Sequence, residues 1–227
     1  MSGEASRSDV IYGALRRAII EQALRPGMKL PEDTIGEQFG VSRTSVRNAL
    51  VRLNAEGLVE IRQNKGAAVA EPPLEEALDI FSLRRCLERE VVNRLSRSIK
   101  DADVARLEAH VEEERKAMRT TGPLSMRLAG EFHILLAELT GSKPLTRYVS
   151  EIVSRCSLIL ALYSRPHSSK CAVDEHSEII AALRNGDPER AVHVMEHHLE
   201  AVEDRAQIHG INEDPDIRAI LNEYVPA

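Results

Sequence analysis

The sequence is short of everything that a covalently braced or membrane-borne protein needs. Its three cysteines, Cys86, Cys156 and Cys171, cannot all pair and none belongs to a CxxC. That leaves no disulfide framework and points to reduced thiols in a cytoplasmic protein. Met1–Arg7 is small and polar, without the apolar stretch of a secretion signal. No run approaches the roughly 18 apolar residues of a membrane helix, so neither secretion nor membrane insertion is expected. Internal repeats and low-complexity tracts are also missing. Nor is there a general excess of positive charge: 30 Lys+Arg face 36 Asp+Glu, for a net charge of −6, which argues against broad, charge-driven affinity for nucleic acid.

What is present is enough apolar material for a real core, 43% of 227 residues, in one large domain or two small ones. The charge is lopsided. Residues 1–70 carry 10 basic and 8 acidic side chains, residues 71–227 carry 20 and 28, and all eight histidines lie between His110 and His209. Two modules with different partners are implied.

The first module, residues 8–70, reads as three helices and a hairpin. Val10, Ile11, Ala14, Leu15, Ala18 and Ile19 recur at helical spacing over about 8–24, ended by Arg25-Pro26-Gly27. Pro31 opens a short helix through Phe39, Gly40 supplies a tight turn, and Ser42 caps a third helix reaching about Ala55. Strands Leu58–Arg62 and Ala67–Ala70 flank the turn Gln63-Asn64-Lys65-Gly66. This is the order of a winged helix-turn-helix. The third helix buries Val46, Ala49, Leu50 and Leu53 and turns Arg43, Thr44, Arg47 and Asn48 outward in its first turns. Those donors are what a recognition helix needs at base edges and phosphates. Arg62 and Lys65 sit where a wing would brush the backbone or minor groove.

Glu71-Pro72-Pro73 is the candidate linker. Beyond it the pattern is entirely helical, over about 74–98, 102–120, 124–141, 144–164, 172–186 and 188–209, with loops short enough for antiparallel neighbours. The predicted fold is therefore mainly α: a winged helix-turn-helix, then an antiparallel all-helical bundle over 74–214, then a tail, 215–227, with a short helix near Asp216–Tyr224.

The segment from Pro26-Gly27 through Leu30-Pro31-Glu32, Gly40-Val41-Ser42-Arg43-Thr44, Val46-Arg47, Glu56-Gly57-Leu58 and Lys65-Gly66 closely resembles the DNA-binding domain of GntR-family bacterial transcription regulators. In that family the residues matching Arg43, Thr44, Arg47 and Gly66 contact operator DNA. One departure is Asp33, where the family often carries an arginine; a carboxylate there repels phosphate. The stretches "DIFSLRRCLE", "GEFHILLAELTGS", "DEHSEIIAALRNGDPERA" and "MEHHL" resemble the FCD domain of the FadR subfamily, in its shorter, VanR-like branch. The resemblance implies a homodimeric regulator, commonly a repressor, that answers to a small carboxylate effector.

The residues support that reading separately. His133, His176 and His198 each lie on the apolar stripe of a different helix and point to one interior. Neutral imidazoles suit a divalent metal such as zinc or nickel, although a hydrogen-bonded core histidine is the plainer reading of each alone. In similar FCD domains an aspartate stands four residues before the first histidine; here that residue is Ala129. Glu131, about 200° round the helix from His133, is a poor substitute. Water, the effector's carboxylate, or direct anion binding by the histidines without metal are the open alternatives. His193 and His197 read as a solvated face, and Cys156 and Cys171 as small core residues. Arg155, between Ile152 and Ile159, wants a carboxylate partner, either an effector or an internal glutamate. Arg84, Arg85, Glu88, Arg89 and Glu90 read as a charged, solvated or interdomain face. Two other functions stay in view: a regulator that senses metal itself, and a metal-dependent hydrolase with a DNA-binding appendage, which would need a general base near the metal.

Overall fold

The computed structural model describes residues 7–118, 122–163 and 170–206. The predicted tail helix lies outside them, as do His167, His209 and the side chain of Cys171. The N-terminal unit runs α1 (Arg7–Ile20), α2 (Glu32–Phe39), α3 (Arg43–Ala55), β1 (Val59–Arg62) and β2 (Gly66–Val69). α1 stops four residues before the expected end, because Gln22 turns into the left-handed region at φ 59°. The amide of Leu24 then closes back on the carbonyl of Ala18.

Local chemistry sets the next elements. Gly40 takes φ 63° and ends α2, and the Ser42 hydroxyl accepts from the amide of Ser45 to start α3. β1 and β2 pair antiparallel from Val59↔Val69 to Arg62↔Gly66, leaving a three-residue loop with Asn64 and Gly66 left-handed. The backbone at Lys29 adds a bridge to Ala68 on the free edge of β2.

The second unit is built from α4 (Leu74–Leu95), α5 (Asp101–Ala117), α6 (Gly122–Leu139), α7 (Lys143–Tyr163), α8 (Lys170–Arg184) and α9 (Pro188–Arg205). α4 packs on α7 and α9, α5 on α6 and α8, and α8 on α9. Their core gathers Val91, Leu95, Leu107, Phe132, Leu136, Ile179, Leu183 and Met195.

The two units are joined by more than a tether. Pro72 is buried and its carbonyl accepts from the Tyr163 hydroxyl at 2.9 Å. Leu158 of α7 belongs to the core of the winged helix, with Ile11, Leu50, Leu53 and Leu58. Arg16 of α1 donates to the hydroxyls of Ser150 (3.2 Å) and Ser154 (2.6 Å) on α7, and Arg127 of α6 pairs with Glu21 at 2.8 Å. Leu158→Ala, which removes an apolar anchor that the bundle inserts into the other unit, is expected to lower stability by about 2–5 kcal/mol in urea titrations. A loss below about 1 kcal/mol would mean that this contact is not structural.

Candidate functional site

Three helices bring the histidines together. His133 on α6, His176 on α8 and His198 on α9 are all buried, and one ligand nitrogen from each lies within 4.8 Å of the other two. The reason for burial is the one visible in the stripes: each imidazole takes a core position on its helix.

The Nδ1 atoms point away from the centre and each meets a carboxylate. His133 Nδ1 donates to Glu88 on α4, His176 Nδ1 to Glu114 on α5 at 2.9 Å, and His198 Nδ1 to Glu175 on α8 at 2.6 Å. An ionised carboxylate only accepts, so a neutral ring bonded to one carries its proton on Nδ1 and its lone pair on Nε2. Burial drives the His133 pKa down to about 4, against the pull of Glu88 and with Arg84 adding to the fall. His198 is lowered well below its usual value by burial and by the two neighbouring imidazoles. Burial opposes ionisation of Glu88, but His133 and Arg84 outweigh it and hold the carboxyl at about 2.

The Nε2 atoms therefore face inward as acceptors. Nε2 of His133 and His198 are 3.2 Å apart, and Nε2 of His176 is buried without a hydrogen-bond partner among the described residues. Converging imidazole lone pairs backed by carboxylates are the donor set of a divalent transition metal, and these residues fit one. Phe132 stacks on His176 with centroids 4.1 Å apart and holds that ring in plane.

The open side of the triad faces a cavity of about 120 Å³ lined by Arg84, Ser125, Ala129, Gly130, Ser157 and Arg205, among others. No aspartate or glutamate lines it among the described residues. Ala129 is in the wall, one turn before His133, and Glu131 is engaged elsewhere, accepting from Arg127 at 2.7 Å. Ile20 and Gln22, from the end of α1, complete the wall, so the DNA-reading unit touches the cavity directly. Burial raises the Cys156 thiol there to about 11, which keeps it neutral.

Two readings of the sequence are corrected. Arg84 and Glu88 do not lie on a solvated face: they are 4% and 1% exposed and bonded to each other at 2.6 Å, with Arg84 in the cavity wall. The signal was present, since both continue the stripe Ala77, Phe81, Val91, Leu95. Arg155, in contrast, does not line the cavity. It pairs with Glu76 in the first turn of α4 and lies across Gly57, where a Cβ would come within 2.9 Å of its Nε. Its carboxylate partner is internal. Of the remaining histidines, His193 and His197 are exposed on α9, and His110 bonds the carbonyl of Leu128 at 2.8 Å.

At the other end of the molecule, Arg43, Thr44, Arg47 and Asn48 are exposed along the start of α3. Both arginines are held by acids on α2: Arg43 by Asp33, and Arg47 by Glu32 through two bonds of 3.0 and 2.8 Å. On the wing, Arg62 pairs with Glu60 at 2.6 Å, while Lys65 and Gly66 sit exposed beside the turn.

Comparison with known proteins agrees with both ends. Residues 7–69 match the model of bacterial regulatory proteins of the gntR family and residues 79–201 match the FCD domain. The HTH-type transcriptional repressor RspR of Escherichia coli (strain K12) is 25% identical over 207 residues, covering 90% of this chain and 91% of that one. The HTH-type transcriptional regulator in the unstable DNA locus of Streptomyces ambofaciens is 30% identical over 205 residues, or 89% and 86% of the two chains. The solved structure of a GntR transcriptional regulator from Rhodococcus sp. RHA1 matches with a TM-score of 0.75 and 28% identity, over 92% of this chain and 100% of that one.

Asp33 and Glu32 on α2 occupy the two arginines of α3 that the sequence assigns to operator DNA. Glu32→Gln, which removes that charge, is expected to raise operator affinity a few-fold. Arg47→Ala is expected to lower it about tenfold or more and to flatten its salt dependence. Equal affinities for the three proteins in fluorescence anisotropy would contradict this role.

Proposed function

The chain belongs to the GntR family of bacterial transcriptional regulators, in the group that carries an FCD domain, and from that premise we propose that it is a homodimeric repressor whose grip on operator DNA is set by a small organic acid bound beside a divalent metal. The observation that carries the effector half is the convergence of three Nε2 lone pairs on a cavity with two arginines and no carboxylate in its wall. Such a wall attracts an anion, and Arg84 offers it a guanidinium edge. A zinc or nickel ion at the triad would supply a positive anchor for the acid's carboxylate and cross-link α6, α8 and α9. With Ala129 in the wall in place of an acidic side chain, the effector's own carboxylate would supply the negative charge facing such a cation. The relatives and folds are those of regulators rather than enzymes.

On the DNA side, Arg43, Thr44, Arg47 and Asn48 would enter the major groove, with Arg62, Lys65 and Gly66 on the flanking backbone. Two copies would present these helices about 34 Å apart, one helical turn, to a palindromic site. Ile20 and Gln22 give the coupling a physical route, since an acid in the cavity displaces or holds the end of α1. Regulation then requires only that the acid bind one arrangement of α1 better than the other.

The full chain is expected to hold stoichiometric metal, which the paired variant His176→Ala/His198→Ala loses while keeping its helical circular dichroism. Small acids should shift operator affinity of the metal-loaded wild type and leave the variant unmoved. Equal metal content in the two proteins would overturn the metal assignment.

A further inference from the structure

Ser125, Ala129 and His133 stand one turn apart on a single face of α6, and all three line the cavity. At 1.5 Å of rise per residue, Ser125 lies about 12 Å along the helix axis from His133, so the cavity has two ends. One holds the imidazoles with Arg84 and Arg205, which pair with the histidine-bound Glu88 and Glu175. The other holds Ser125, Met126, Ile20 and Gln22, none of them charged.

Ser125 is 2% exposed, and its hydroxyl has no hydrogen-bond partner among the described residues. Serines elsewhere in the bundle return their hydroxyl to the carbonyl four residues back, as buried Ser154 does to Ser150 at 2.6 Å and half-buried Ser157 to Val153 at 3.2 Å. An unpaired buried hydroxyl costs about 1–3 kcal/mol, and this one is aimed into a cavity. Beside it, Gln22 sits at φ 59°, a region that residues other than glycine rarely adopt. Its amide donates to the Met126 sulfur at 3.5 Å, a weak acceptor.

We propose that Ser125 is a specificity-determining residue of the effector site. The cavity takes an organic acid with a second, uncharged hydrogen-bonding group, a hydroxyl or amide, at the end remote from its carboxylate. Ser125 Oγ and the Gln22 amide read that group. An apolar cavity of about 150 Å³ accepts benzene, so the 120 Å³ here limits the acid to about six carbons or fewer. The inference rests on the triad being the anionic end. It adds that the group that sets specificity touches α1 of the DNA-reading unit.

The test uses the full chain loaded with Zn²⁺ and titrated calorimetrically with straight-chain acids from acetate to hexanoate, each compared with its ω-hydroxy counterpart where one exists. At one chain length the hydroxyl is expected to tighten binding about tenfold. Ser125→Ala should abolish the gain, and Ser125→Thr, which keeps a hydroxyl, should retain it. A gain at no chain length, or one that survives in Ser125→Ala, overturns the inference while plain-acid binding leaves the anion site standing. Failure of every acid to bind the Zn²⁺-loaded chain overturns both.

Discussion

A carboxylate can only accept, so the bonds from Nδ1 of His133, His176 and His198 to Glu88, Glu114 and Glu175 fix a proton outward and a lone pair inward on each ring. The rest of the site depends on that commitment. It ties α4, α5, α6, α8 and α9 into one buried polar network and leaves three acceptors facing one another. Glu114 makes the tension plain: it is wholly buried, and its second oxygen has no hydrogen-bond partner among the described residues. A half-satisfied buried carboxylate is expensive. It becomes reasonable when the ring it backs binds a cation on the other side.

The second constraint is the joint between the units. A regulator assembled from two beads and a flexible linker would have to transmit binding through Glu71–Pro73. Here Leu158 is part of the winged-helix core, Arg16 is bonded to α7, and Ile20 and Gln22 form cavity wall. The effector site and the DNA-reading unit thus share side chains. The proposed coupling therefore needs no long chain of intermediates, only a change in how the end of α1 is seated.

Much of this was legible before folding. Ser42, Gly40 and the stripe Val46–Leu53 defined the recognition helix, and the three histidines showed themselves as polar residues at core positions of three helices. What the sequence hid were tertiary partners. Arg84 and Glu88 sit among Arg85, Arg89 and Glu90, so a run of charge masked the two members that continue the apolar stripe. Glu114 was hidden in the same way inside Glu112-Glu113-Glu114, although it follows Val104, Leu107 and Val111. For Arg155 the sequence left an effector and an internal glutamate open as partners, and the fold supplies the second in Glu76 of α4. The pairing of Arg43 and Arg47 with acids on α2 joins residues from different helices and has no local signature.

The most direct test is a long-range ¹H–¹⁵N spectrum of the imidazoles in the metal-free full chain. At neutral pH, His133 and His198, whose pKa values burial lowers, should each give the pattern of a neutral ring protonated on Nδ1. His133 should keep it as the pH falls, until it nears about 4. A proton on Nε2 of either ring, or an imidazolium at either at neutral pH, would contradict the inward-facing lone pairs on which the site is built.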